Sequence, residues 1–151
     1  MRGDLPLSVT HEVRDRCLCL HLQRAARAIA RRFDEVLRPV GITSGQFSLL
    51  VSLNRPQPPK IGDVAHLLAM DRTTLTAALK PLERRGLVTV SADPKDKRSR
   101  RLALTEAGLD VLEQAVPIWR ATHDDVDKLL LGGNADARRG DLLALSFGEP
   151  E

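Results

Sequence analysis

Three threonines in four positions, Thr73, Thr74 and Thr76, follow Asp71, and Lys80 comes one turn later. Threonine is a poor helix former because its branched Cβ loses rotamer freedom. A cluster of threonines at the start of an apolar-periodic segment therefore points to hydroxyls and methyls set out to meet base edges or phosphates. Arg72, Arg84 and Arg85 surround them, and Lys97, Arg98, Arg100 and Arg101 lie a short way downstream. Residues 72–101 hold nine Lys/Arg against three Asp/Glu, a net of +6. The whole chain is only +3, so everything else sums to −3. Positive charge concentrated in one segment is what a phosphate backbone attracts.

The elements that must carry these side chains are legible around them. Asp71 can cap a helix by accepting the free amides of its first turn. Leu75, Leu79 and Leu82 recur at i, i+4 and i+7, one buried stripe that leaves the threonines and Lys80 on other faces. Gly86 suits the left-handed residue after the last turn. Upstream, residues 61–69 read as a shorter helix, with Ile61, Val64, Ala65 and Leu68 on one side. Two short helices joined by the turn Ala69–Asp71 make a helix-turn-helix, whose second helix can enter a major groove. Residues 87–91 alternate apolar and polar, 93–99 form a polar turn with a proline, and 100–104 can return as a second strand. The product is a β-hairpin wing with a basic tip. Asp96 stands two residues before Arg98 and is expected to orient its guanidinium by a charge-assisted pair. A fixed arginine there suits a narrow, electronegative minor groove.

The remaining chain reads as mainly helical. Thr10 is expected to cap a helix running to about Arg38, with the stripe Leu18, Leu22, Ala25, Ile29, Phe33 and Val36; residues 1–9 are expected to be a loose arm. Thr43 and Gln46 form a capping box for a helix reaching about Asn54, with Phe47, Leu50, Val51 and Leu53 inward. The prolines of 55–59 make a stiff connector. Thr105 caps a helix from Glu106 to about Leu131, Pro117 should kink it, and Asn134 caps a last helix over 135–145. Phe147 adds an apolar anchor. The fold class is therefore mainly α with a small β-hairpin wing, a winged helix-turn-helix lobe over 43–104. The flanking helices, 10–38 and 105–147, are the natural dimerisation elements: a helix this long cannot be covered by one small domain.

Bulk properties agree. At 151 residues the chain is one domain. Aromatics make up 3%, so Leu, Ala, Val and Ile must build the core. No apolar run reaches the length of a membrane span and no signal-peptide pattern opens the chain, so a cytoplasmic protein with no membrane partner is expected. Two cysteines two positions apart, Cys17 and Cys19, are expected to be thiols in a reducing compartment.

MDRTTLT (70–76), LERRGLV (82–88), the wing DPKDKRSRRLALT (93–105) and Gly108 resemble the MarR family of bacterial winged-helix repressors. The likeness runs from about Cys17 to Leu145. It implies a cytoplasmic homodimer with recognition helices in successive major grooves of double-stranded DNA, roughly 34 Å apart on a pseudo-palindromic operator, and a wing arginine, Arg98, in the minor groove. It also implies tolerance of Pro81 within the recognition helix, here expected to be continuous but kinked. Where the family often carries Arg-Asn after this LT, Ala77 and Ala78 stand, which shifts readout towards threonines, methyl contacts, Lys80 and DNA shape. The resemblance further implies a small aromatic or acidic effector between the dimer helices and the DNA-reading lobe, with His21, Arg24, Phe47 and Trp119 as lining.

The run 18–33 resembles the organic-hydroperoxide-sensing branch of that family, and Cys19 then falls on its reactive cysteine. The two tyrosines that serve the thiolate there are Phe33 and Ser44 here, and the chain has no tyrosine. On a continuous helix Cys17 and Cys19 point about 200° apart. The readings open at this stage are an effector-released repressor, a redox sensor using Cys19, a thiol peroxidase-like enzyme, and a winged-helix module for protein contacts. No cysteine has a visible base, which weighs against the enzyme. Two thiols without clustered histidines do not complete a metal site, and neither metal nor cofactor is expected.

Overall fold

The computed structural model describes residues 4–147. Seven α-helices run in order: α1 (Leu7–Arg16), α2 (Leu18–Leu37), α3 (Ser44–Leu53), α4 (Ile61–Leu67), α5 (Arg72–Arg84), α6 (Glu106–Lys128) and α7 (Ala135–Phe147), with a 3-10 turn over Arg38–Val40. Strands β1 (Val88–Ala92) and β2 (Arg100–Leu104) pair antiparallel between α5 and α6, Val88 opposite Leu104 and Val90 opposite Leu102. Lys60 adds a single bridge to Arg101, so the chain before α4 lies along the wing's outer edge.

The expected caps are present. Thr43 and Gln46 close a reciprocal capping box on α3. Thr105 Oγ1 accepts from the Gly108 amide and donates to the Gly86 carbonyl, so α6 starts directly on the end of α5. Asn134 Oδ1 accepts from the Ala137 amide at the start of α7. Pro81 sits within a helix that stays unbroken.

The core lies where α3, α4, α5, the wing and the start of α6 meet. Leu50, Leu75, Leu82, Leu102 and Val64 are fully buried there, and Phe33, Leu37, Leu112 and Ala115 extend it towards α2 and α6. In α3 it is Leu49 that faces inward, whereas Val51, expected inward, is exposed.

The first helix departs from expectation. Helix begins at Leu7, not at Thr10, and is interrupted at Cys17, whose backbone is extended (φ −73, ψ 103). Of the arm expected over 1–9, residues 1–3 lie outside the described residues. Cys17 thus belongs to neither helix interior: its amide closes α1 on the Val13 carbonyl, and its sulfur accepts from the Leu20 amide at the start of α2. The opposed geometry of two cysteines on one helix does not apply. Neither α1 nor α7 has a buried residue, and α2 buries only Phe33 and Leu37 of its 20. Leu7, Val13, Leu18, Ile29, Leu142, Leu143 and Leu145 are exposed on these helices. No single helix among the described residues is long and apolar enough to cross a membrane.

Candidate nucleic-acid interface

Asp71 starts α5 by accepting the Thr74 amide at 2.8 Å on one oxygen and the Thr74 hydroxyl at 2.6 Å on the other. Those bonds, the hydroxyl first, hold its carboxyl below the usual carboxylate range. Leu75, Leu79 and Leu82 are buried, as their spacing requires. At roughly 100° per residue, Thr73, Thr76, Ala77, Lys80 and Arg84 then fall on the opposite face. All five are exposed, with Thr74 beside them. Two of the three threonine hydroxyls are already committed as donors: Thr74 to Asp71, and Thr76 to the Arg72 carbonyl at 2.7 Å. Each keeps acceptor lone pairs and a methyl group facing out. The sequence points all three hydroxyls at base edges or phosphates, and this commitment of two donors narrows what they can read.

The turn between α4 and α5 depends on Ala69, the one non-glycine with positive φ (50°) among the described residues. Arg72 lies back across the start of α4, its Nη2 3.0 Å from where a Gly62 Cβ would be, so Gly62 makes its room. Arg85, just past α5, reaches towards Gly41, its Nη2 3.4 Å from the corresponding position there.

In the wing, the structure revises two assignments. Asp96 Oδ1 accepts the backbone amide of Arg98 at 3.0 Å. No ion pair between Asp96 and the Arg98 guanidinium is present among the described residues, so Asp96 shapes the turn and the Arg98 side chain stays exposed. Arg101, expected as a phosphate contact, is engaged inward: Nε donates to Asp93 Oδ2 at 2.9 Å and Nη1 to the Pro58 carbonyl at 2.8 Å. Asp93 itself, read from the sequence as part of a polar turn, is 1% exposed. It accepts the Lys95 amide at 2.8 Å and lies 3.8 Å from Lys60 Nζ. The Lys95 bond, assisted by the charges of Arg101 and Lys60, holds its carboxyl low against the opposing effect of burial. The turn sequence carries no local signal for this, because its partners come from the far strand and the connector before α4. Lys97, Arg98 and Arg100 remain exposed at the tip.

Arg72, Lys80, Arg84, Arg85, Lys95, Lys97, Arg98 and Arg100 make no ion pair with any described residue. On the flanking helices some cations do, as in Arg16–Glu12, Lys128–Asp125 and Arg138–Asp141, while Arg24, Arg27, Arg31, Arg32 and Arg120 do not.

A second feature lies between α2, α3 and α6: a cavity of about 330 Å³ lined by Phe33, Ser44, Phe47, Trp119 and His123 with aliphatic and small residues of α2 and α3. Phe47 and Trp119 stack at 5.9 Å and 21°, and His123 tilts against Trp119 at 4.9 Å. Two of the four expected lining residues, Phe47 and Trp119, are therefore brought together. His21 and Arg24 are not: His21 Nδ1 is 2.8 Å from the Cys17 carbonyl, and Arg24 is on the opposite face of α2 beside Arg27 and Arg31. Sequence reasoning missed His123, which carries no motif. Phe33 and Ser44 line this cavity, while Cys19 is exposed outside it, its sulfur accepting from Gln23 Nε2 at 3.1 Å. No group of three or more His, Cys, Asp or Glu among the described residues could hold a metal ion.

Comparison with known proteins agrees with this geometry. The MarR family model matches residues 42–99, most of the helix-turn-helix and wing. The transcriptional activatory protein BadR of Rhodopseudomonas palustris is 32% identical over 113 residues, 72% of this chain and 65% of BadR, so the chain spans just under two thirds of that relative. The organic hydroperoxide resistance transcriptional regulator of Bacillus subtilis is 32% identical over 101 residues, 67% of this chain and 69% of the relative. Among solved structures, M. tuberculosis MosR in complex with DNA superposes with a TM-score of 0.79 at 35% identity, covering 86% of this chain and 93% of MosR. The transcriptional repressor CouR bound to a DNA duplex gives 0.75 at 30% identity, over 93% and 97%. With lobe, wing and flanking helices all matched, the chain belongs to the MarR family of transcriptional regulators and not to a family of enzymes.

Proposed function

We propose that the chain acts as a homodimeric, sequence-specific DNA-binding repressor released by a small-molecule effector. The observation that carries this reading is the concentration of charge: residues 72–101 carry a net +6, and eight of their cations have no acidic partner among the described residues. In such a dimer Thr73, Thr74, Thr76 and Lys80 face the major groove. Arg98 enters the minor groove, and Arg72, Arg84, Arg85, Lys97 and Arg100 meet phosphates. Arg101 stiffens the wing from within. The unburied apolar faces of α1, α2 and α7 support a second copy as their cover, since contiguous exposed apolar surface marks an interaction site. The α2–α3–α6 cavity, apolar with a few polar groups, fits a small aromatic effector.

The test is anisotropy of a labelled duplex carrying the inverted repeat from the promoter beside its own gene, titrated against salt. Binding should prefer that duplex to a scrambled one and weaken steeply with salt, the slope of log K being about −0.9 per phosphate contact. Sedimentation should give a dimer. A monomer, or equal binding to both duplexes, would refute the proposal.

A redox reading has one structural feature in its favour. Cys17 caps α2 with its sulfur, and Cys19, two residues on, is exposed. The Bacillus subtilis relative is named for organic hydroperoxide resistance.

A further inference from the structure

The wing turn is rooted on a buried charge whose neighbours come from three parts of the chain. From the turn itself, Asp93 Oδ1 accepts the Lys95 amide at 2.8 Å. The Asp93 amide donates to the Ser99 carbonyl at 3.0 Å, closing the loop that carries Lys97 and Arg98. From β2, Arg101 Nε donates to Asp93 Oδ2 at 2.9 Å. From the connector, Lys60 Nζ lies 3.8 Å from the same oxygen.

The connector is tied to the wing by its backbone as well. Arg101 Nη1 donates to the Pro58 carbonyl at 2.8 Å, and the Leu102 amide donates to the Pro59 carbonyl at 3.0 Å. Two consecutive prolines stiffen this strip of chain. Lys60, next in sequence, is the N-cap of α4, and α4 passes to α5 through the turn at Ala69. One strip therefore joins the helix-turn-helix at its end and the wing along its side. Asp93 Oδ2 is the point where both meet.

A buried ion pair adds little stability over apolar residues of the same volume; its best-attested use is to select one arrangement among several. The arrangement at stake here is the direction of the wing tip. The Arg98 guanidinium has no partner among the described residues, and Asp96 holds only the Arg98 backbone amide. Where Arg98 points is thus set by the turn, and the turn is set on Asp93. A binding group is only as precise as the groups that hold it.

We propose that Asp93 is a positioning residue for the wing's contact with DNA: through Arg101 and Lys60 it fixes the angle between the Arg98 tip and the α4–α5 pair. Recognition helix and wing are thereby held to one register on the duplex. This rests on the reading of Arg98 as the minor-groove residue and adds the group that aims it.

The experiment is a double-mutant cycle on the full chain, read by anisotropy. Three labelled duplexes are used: the inverted repeat from the promoter beside its own gene, the same repeat with A·T flanks changed to G·C, and the same repeat with its half-site centres changed. Asp93→Asn keeps the shape and an acceptor for the Lys95 amide, and removes the charge that Arg101 and Lys60 share. It should weaken binding to the first duplex about fivefold, the lower end of what one groove contact supplies. The preference for A·T flanks should fall in proportion, and the preference for intact half-site centres should stay. In an Arg98→Ala background Asp93→Asn should cost less than about twofold, because the contact it aims is already gone. Arg101→Lys keeps the charge pair but loses the fork that spans Asp93 and Pro58. It should show the same pattern, and it decides the matter if Asp93→Asn does not fold. A purely structural role would weaken all three duplexes alike, with or without Arg98. If Arg98→Ala itself leaves affinity unchanged, the minor-groove reading and this inference fall together. If Arg98→Ala weakens binding but the other two substitutions cost the same in its presence and absence, the positioning role alone is overturned.

Discussion

Gly108→Ala adds one methyl group at the junction of recognition helix, wing and α6. Its Cβ would overlap the Leu87 carbonyl oxygen, with Leu87 C at 3.1 Å and Leu104 Cδ2 at 3.2 Å. The obstruction is backbone, so no side-chain rotation relieves it. The Leu87 carbonyl already accepts from the Thr105 amide at 3.1 Å, and Thr105 Oγ1 holds both the Gly86 carbonyl and the Gly108 amide. Separating α6 from Leu87 therefore strains three hydrogen bonds at once. Overpacking alone costs about 1–3 kcal/mol, and a lost N-cap about 1 kcal/mol. These terms overlap, giving about 3 kcal/mol in total. For a chain this size that is a fall in melting temperature of about 6–12 °C, at about 2–4 °C per kcal/mol. Urea denaturation at fixed protein concentration measures it, fixed because association contributes to apparent stability. Gly45→Ala is the control. Only Thr43 Oγ1, at 4.0 Å, approaches its added Cβ in the first turn of α3. There the same substitution should stabilise by about 0.5–1 kcal/mol through lost chain entropy. Equal shifts of the urea midpoint for the two variants would refute the account of the junction.

Arg98→Ala should weaken operator binding by about 5–100-fold and flatten discrimination at A·T flanks, as loss of one good groove contact does; unchanged affinity removes Arg98 from the mechanism. Arg101→Ala should differ in kind, lowering the urea midpoint of DNA-free protein as well as affinity, because its guanidinium serves Asp93 and Pro58. Asp93 has a folded pKa below its unfolded value. Its contribution is thus complete above about pH 4, the ordinary carboxylate range, and is lost as pH falls through the depressed folded value. Asp93→Asn should flatten that acid limb of stability, followed by urea midpoints across pH; an unaltered limb counts against the buried pair. Cys19→Ser should abolish any release of DNA by organic peroxide, and a wild type that holds its operator under peroxide removes the redox reading. Leu143→Glu, at an exposed apolar position of α7, should shift sedimentation towards monomer; an unchanged dimer moves the interface elsewhere.

What could be read from the chain in advance was what is decided locally. Caps at Thr43, Asp71, Thr105 and Asn134 act within a turn of themselves, and the Leu75–Leu79–Leu82 stripe depends only on helical period. The break at Cys17 has no proline or glycine to announce it, and the flanking run reads as continuous helix; the structure records the break without a local cause for it. Asp93 was missed because its burial is made by residues brought from the connector and from β2. His123 was missed for the same reason: on α6 it is one more polar residue, and only the approach of α2 and α3 gives it a cavity to face. Asp96 was placed correctly but assigned the wrong partner, since a carboxylate two residues before an amide closes a turn more readily than it reaches a long side chain.

The position of α3 explains how a cavity remote from the threonine face of α5 could govern it. Phe47, Ser44 and Ser48 of α3 line the cavity. Leu49, Leu50 and Leu53 of the same helix are buried in the core that also holds Val64 of α4 and Leu75 and Leu79 of α5. A ligand that displaces Phe47 must move α3 as a body, because its ten residues form one helix with a reciprocal cap at its start. Close packing then passes the shift to α4 and α5, which have no spare volume to absorb it. Such a ligand acts only through its difference in affinity between the DNA-competent and incompetent arrangements. Moving a 99:1 population to 1:99 takes about a 10⁴-fold preference. One cavity with one polar anchor does not supply that with ease. A dimer with two cavities needs only about a hundredfold preference at each, if both subunits change together. On this argument, effector release by a ligand of modest affinity requires the second copy, and a monomeric variant such as Leu143→Glu should lose effector response more completely than it loses effector binding at Trp119.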